Sequence, residues 1–159
     1  MAMRLVVLIA LCVLPALVCA RPAKTDFIVQ GRVYCDTCQA GFETSATTYI
    51  HGARVMVKCR DIKSDKTTYS CEGVTDGTGT YKIPISGDHE NEVCETVLVS
   101  SPQQDCATVA PGRDRARLAL AHNNGIVSDN RYANNMGFMK DAPLAGCTDL
   151  LKQYQEFDD

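Results

Sequence analysis

Cys35 and Cys38 stand three positions apart at the end of "GRVYCDTC", directly after a strand-like run. This spacing admits three chemistries: a reversible redox dithiol, half of a zinc site, or two anchors for separate disulfides. A thioredoxin-type dithiol needs its first cysteine at a helix N-terminus, where backbone amides and the helix dipole lower the thiol pKa. Here "RVYC" is strand-like, "QAGFETSATTY" has no helical periodicity, and no strand–helix–strand pattern surrounds the pair. A zinc site needs a second close pair of ligands. Cys59, Cys71, Cys94 and Cys106 form none, and His51, His89 and His122 stand singly near turn-forming residues, where surface histidines are the default. The structural reading ranks above the redox one, and redox above zinc. Neither a metal nor a cofactor is expected.

Compartment governs which of these chemistries can operate. The chain opens "MAMRLVVLIALCVLPALVCA", with Arg4 as its one charge, an apolar run from Leu5 to Leu14, and Pro15. That pattern is a secretory signal with cleavage near Ala20. The uninterrupted run is too short to cross a bilayer comfortably. No membrane insertion is expected. Residues 1–20 are read as a cleaved signal, 21–26 as a tail, 27–154 as a single domain and 155–159 as an acidic tail. Without the signal, seven of the nine cysteines remain, and losing Arg4 moves the formal charge from −3 to −4. Mild acidity argues against a nucleic-acid partner. In an oxidising compartment thiols that can meet form disulfides, but sequence alone does not choose their partners. No Asn-x-Ser/Thr triplet occurs, so no N-glycan is expected.

The elements that must position these cysteines read as short strands. "DFIVQGRVYC" puts Phe27, Val29, Val33 and Cys35 on one face, and "GARVMVKCR" alternates Ala53, Val55, Val57 and Cys59 against Arg54, Met56, Lys58 and Arg60. Period two with one apolar face marks a half-buried strand. "TYSCEGV" and "TYKIPI" flank "TDGTG", which reads as a hairpin turn. "EVCETVLVS" and "RARLALA" continue the series, "NNGIVSDNRYANNMGF" reads as a long polar surface loop, and "APLAGCTDLLKQYQEF" has helical spacing. The expected fold is mainly all-β: a disulfide-stapled antiparallel barrel or sandwich of about seven strands with a short C-terminal helix.

"GRVYCDTC" resembles the signature of the Ole e 1-like family of plant extracellular proteins, and the resemblance continues through "GFET", "VTDGTGTYKIPI", "CETVLVSSPQQDC", "RYANNMGFM" and "APLAGC". Cysteines 35, 38, 59, 94, 106 and 147 match the family's six. The resemblance implies the pairings Cys35–Cys106, Cys38–Cys147 and Cys59–Cys94. Cys71 falls outside the six and is read as a buried free thiol.

No nucleophile, metallohydrolase or phosphate-loop motif occurs, so catalysis is not expected. In a strand, Arg113, Arg115 and Arg117 share the face opposite Ala116, Leu118 and Leu120, a stripe suited to an acidic partner; the bland alternative is a solvated outer face. The resemblance implies a monomeric, non-enzymatic interaction protein of the apoplast or cell wall and a candidate pollen allergen, with a receptor-kinase ectodomain or a wall polysaccharide as partner. The alternatives are a thiol-disulfide oxidoreductase using Cys35 and Cys38, and a barrel carrying a small ligand.

Overall fold

The computed structural model describes residues 24–155. The expected signal segment 1–20, the start of the tail at 21–23 and residues 156–159 lie outside that range. The described strands are β1 Phe27–Asp36, β2 Thr48–Tyr49, β3 Arg54–Asp61, β4 Thr67–Val74, β5 Thr80–Ile85, β6 Glu92–Ser100, β7 Thr108–Val109, β8 Arg115–Leu118, β9 Asn130–Tyr132 and β10 Met136–Met139, followed by helix α1 Cys147–Gln155.

β1 is the spine of the first sheet. Its N-terminal half pairs antiparallel with β5, Phe27 opposite Ile85, and parallel with β9, Val29 opposite Arg131. Its C-terminal half pairs antiparallel with β2 and parallel with β10, Cys35 opposite Phe138. β10 in turn carries β7. The second sheet is antiparallel throughout, in the order β4-β3-β6-β8.

The two sheets face one another and do not close into a barrel. Phe27, Val29 and Val33 of β1 meet Val55 and Val57 of β3 and Ile83 of β5 in one core, each almost fully buried. Burying each such side chain contributes about 1.5–3 kcal/mol. The two layers approach closely at Gly73 of β4, where a Cβ would come within 2.6 Å of Ile83 Cγ1 on β5.

The mainly β architecture with its C-terminal helix follows the alternation in the sequence, but three details differ from expectation. First, there are more strands than seven, and β1 makes two parallel pairings. Second, "TDGTG" is a turn but not a hairpin: β4 and β5 belong to different sheets, so the chain crosses between layers there. Third, the Asn-rich stretch expected to be loop supplies β9 and β10. Neither alternates visibly, because each is only three or four residues long and takes its register from β1.

Within that third segment lies Arg131, only 4% exposed. Its guanidinium sits 4.7 Å from the Phe27 ring centre and donates to the carbonyls of Ala119 (2.9 Å), Ala121 (3.2 Å) and Ser128. The buried cation thus satisfies backbone acceptors of the loop that precedes it.

The interlayer turn is built on Asp76. Its carboxylate accepts from the Thr78 hydroxyl (2.7 Å), the Thr78 amide (2.8 Å) and the Thr80 amide (3.1 Å). These bonds, the Thr78 hydroxyl first, hold its pKa below the ordinary carboxylate value. A depressed pKa stabilises the fold at pH values above the unfolded-state pKa of about 4, and the contribution is lost as pH falls through the folded value. The Thr78 and Thr80 amides should therefore stay protected from exchange at neutral pH and lose protection in acid. Asp76→Asn should show the loss already at neutral pH, with no further acid step, by NMR-detected hydrogen exchange.

Helix α1 buries little besides Cys147 and is held to the body by the Cys38–Cys147 bridge, which closes a separation of 109 residues. Replacing both cysteines by alanine should lower unfolding stability by roughly 4 kcal/mol in the chain-entropy account. It should also release the helix, read by guanidinium titration and far-UV circular dichroism.

Candidate functional site

Six of the described cysteines form three bridges with one another. Cys35 joins Cys106 with Cα atoms 6.0 Å apart, Cys38 joins Cys147 at 5.3 Å, and Cys59 joins Cys94 across β3 and β6 at 4.1 Å. Cys35 and Cys38 are therefore bonded away from each other, not as a dithiol pair. Cys71 requires a correction. It is buried on the core face opposite Val57, as expected, but it is disulfide-bonded, not a free thiol. The odd count held only for the cysteines after residue 20.

His89 also departs from the surface reading. It is 8% exposed, its Nδ1 meets the Glu92 carboxylate, and its Nε2 lies 3.2 Å from the Ser86 carbonyl. His89, Glu92, Cys59 and Cys94 bring potential ligand atoms within 4.8 Å of one another. The two sulfurs are bonded to each other, which leaves a histidine and a carboxylate, two ligands fewer than a structural zinc site uses.

The three arginines do not act as one stripe. β8 begins at Arg115, so Arg113 lies before the strand. Arg115 donates to Asp114 at 2.8 Å and to Glu95 at 3.4 Å, and Arg60 approaches the same Glu95 at 3.7 Å. Arg117 is exposed on β8 opposite Glu95. Two members thus lie beside a largely buried carboxylate on the outer sheet face, and the third serves a different place.

That place is a recess of about 550 Å³ between three segments: the loop after the Cys-x-x-Cys pair, the turn before β8, and the link between β9 and β10. Its walls include Phe42, Glu43, Arg113, Asn134 and Asn135, with Tyr34 beneath. The walls are bonded to one another. Asp36 folds the first loop, its carboxylate accepting from the amides of Ala40 (3.0 Å) and Gly41 (2.7 Å). The Gly41 carbonyl then accepts from Arg113 Nε at 2.9 Å. The Arg113 carbonyl accepts from the Gly137 amide on β10 at 3.0 Å.

Glu43 is clamped from both sides: the Tyr49 hydroxyl donates to Oε1 at 2.8 Å and Asn135 Nδ2 to Oε2 at 2.9 Å. Tyr49 is held in turn by the Arg32 guanidinium, 3.2 Å from its ring centre. Phe42 packs edge-to-face on Tyr154 of α1, ring centres 5.2 Å apart.

Tyr34 lies on the face of β1 away from the core and is nonetheless 1% exposed, because the recess segments cover it. Burial pushes its hydroxyl pKa up, so it stays a protonated donor at neutral pH. Its ring rests on Gly137, where a Cβ would lie 2.5 Å from Tyr34 Cζ.

Arg113 thus has other neighbours than the strand pattern assigns it, and Tyr34, Phe42, Glu43 and Asn135 join it without being singled out by the sequence. The one signal in the sequence is a tyrosine, Tyr34, at an outward position of a strand.

Against known proteins, the family model for "Pollen protein Ole e 1 like" matches residues 25–155. The chain belongs to the Ole e 1-like family. This Ole e 1-like chain is 46% identical to the pollen-specific protein C13 of Zea mays, across 95% of its own length and 91% of the relative's. It is 42% identical to the anther-specific protein LAT52 of Solanum lycopersicum, across 96% and 95%. Among solved structures it is similar to the major plantain pollen allergen Pla l 1, at 32% identity and a TM-score of 0.67, covering 76% of this chain and 98% of that one.

The recess of the Ole e 1-like chain depends on the missing side chain at position 137. Gly137→Ala should force Tyr34 out of place. We expect a loss of about 1–3 kcal/mol by thermal or denaturant unfolding, as for overpacked sites, and displaced NMR resonances for Tyr34 and Arg113.

Proposed function

We propose that this protein is a secreted, non-enzymatic interaction protein of pollen, acting in the apoplast or cell wall through the recess around Arg113. The observation that carries the reading is the construction of that recess. Three segments distant in sequence are pinned to one another by hydrogen bonds, Arg113 to Gly41 and Asn135 to Glu43, and two disulfides hold the strand and helix beneath them. Rigid polar walls on a stapled scaffold suit recognition, since little ordering remains to be done on binding. The recess has one carboxylate, already accepting two hydrogen bonds, and no Ser, Cys or His among its described lining residues. Binding without turnover fits that inventory.

The pollen and anther names of the relatives support a pollen role, and the allergen names among them support candidacy as an allergen. The bridges and the N-terminal sequence support export. Among the described residues no helix is long and apolar enough to cross a membrane. The partner is proposed to be a receptor ectodomain, including that of a receptor kinase, or a wall polysaccharide, met by a monomer. An oxidoreductase reading is disfavoured by the outward bonding of Cys35 and Cys38. A ligand-filled barrel is disfavoured by the two packed sheets.

The recess reading separates the arginines experimentally. In binding of the purified secreted protein to growing pollen tubes, Arg113→Ala should weaken association about tenfold, equivalent to roughly 1.4 kcal/mol. Arg117→Ala should leave it within about twofold, as for a solvated surface charge. Equal losses for both variants would return the function to the outer sheet face.

A further inference from the structure

The chemistry of the recess also specifies a ligand class, an inference that rests on the recess reading above. We propose that it is a subsite for a neutral pyranose, the exposed sugar of a glycan. Each sugar hydroxyl both donates and accepts a hydrogen bond. A site for one must therefore interleave donors and acceptors within a few ångströms and offer an apolar surface to the ring's C–H face.

The recess does this with committed geometry. Arg113 spends its Nε on the Gly41 carbonyl, which aims the guanidinium. Its two Nη groups have no partner among the described residues and remain as donors. Glu43 receives one hydrogen bond on each oxygen, and each oxygen retains further acceptor capacity. Asn135 uses Nδ2 on Glu43 and keeps its amide carbonyl. The Phe42 ring, set against Tyr154 and 36% exposed, is the aromatic member of the lining available to polarised C–H bonds.

The second observation is Tyr34. A tyrosine 1% exposed should have its hydroxyl satisfied. Here no described residue pairs with it, and it is not among the enclosed polar atoms that lack a partner, so the hydroxyl opens onto the recess it borders. A sugar hydroxyl reaching the recess floor supplies an acceptor within the site.

The same inventory excludes neighbouring ligand classes. An acidic sugar or phosphate would meet the Glu43 carboxylate, which offsets Arg113. An apolar peptide side chain would leave Tyr34 and Arg113 unpaired against it, at a cost of about 1–3 kcal/mol for each buried group. Hydrolysis of the sugar is not implied, because a glycosidase flanks the scissile bond with two carboxylates and the recess has one.

The test is an NMR titration of the isotope-labelled secreted protein with four probes: cellotetraose, β-1,4-linked galactotetraose, mannotriose and tetragalacturonate. We expect at least one neutral probe to bind with a Kd of about 1 mM or tighter, shifting the resonances of Tyr34, Arg113 and Asn135. Tyr34→Phe and Arg113→Ala should each weaken it about tenfold or more, with Tyr34→Phe keeping the wild-type melting temperature. Binding of the glucan or galactan probe would identify a wall polysaccharide as the source. Binding of mannotriose would identify a glycan on a partner protein. The proposal is overturned if only tetragalacturonate binds, or if affinity is unchanged in both variants. It is equally overturned if no probe binds. Should that happen while Arg113→Ala still weakens pollen-tube association, the saccharide assignment falls and the interaction reading stands.

Discussion

Two sulfurs three residues apart, bonded in different directions, hold together segments with too little apolar surface to hold themselves. Cys35 belongs to the core cluster and ties β1 to the segment that leads into β7. Cys38 lies beyond the strand end and ties it to α1, a helix with little buried area of its own. Short strands and a poorly packed helix cannot offset their ordering entropy by burial alone. Restricting the unfolded chain supplies part of the difference. The Asp36 carboxylate, between the two cysteines, completes this arrangement by capping the loop that follows them, so that the backbone leaving β1 has one defined course.

That course makes the recess possible. The loop from β1 presents the Gly41 carbonyl to Arg113, and β10, paired in parallel with β1, presents the Gly137 amide to the carbonyl of the same arginine. Arg113 is thus gripped at its side chain and its backbone by two segments that both take their position from the end of β1. Arg115 and Arg117, two and four residues on, answer to a different constraint: their strand pairs with β6 and places them around Glu95. Adjacent arginines of similar appearance in the sequence are therefore physically unrelated. Burial follows the same logic in reverse at Arg131, a cation held by carbonyl groups with no carboxylate among its bonded partners.

The strands of the second sheet, the core face of β1 and the C-terminal helix are all legible in the order of residues alone. In each, the side-chain period is set by local geometry, and one face must leave water. Resemblance to a family also anticipated the bridge partners, which no spacing rule supplies. The rest follows from contacts between distant segments. Whether "TDGTG" closes a hairpin or crosses between layers depends on which sheets accept β4 and β5, not on the turn itself. β9 and β10 exist because β1 offers unpaired edges, so their own residues carry no alternation. Tyr34 is buried on a face that its strand pattern assigns to solvent, because distant segments fold over it. The recess joins residues up to about a hundred positions apart, and its chemistry arises only when β1, β10 and two loops meet. Local periodicity is written in neighbouring residues, whereas a site built from long-range contacts is written in none of them singly.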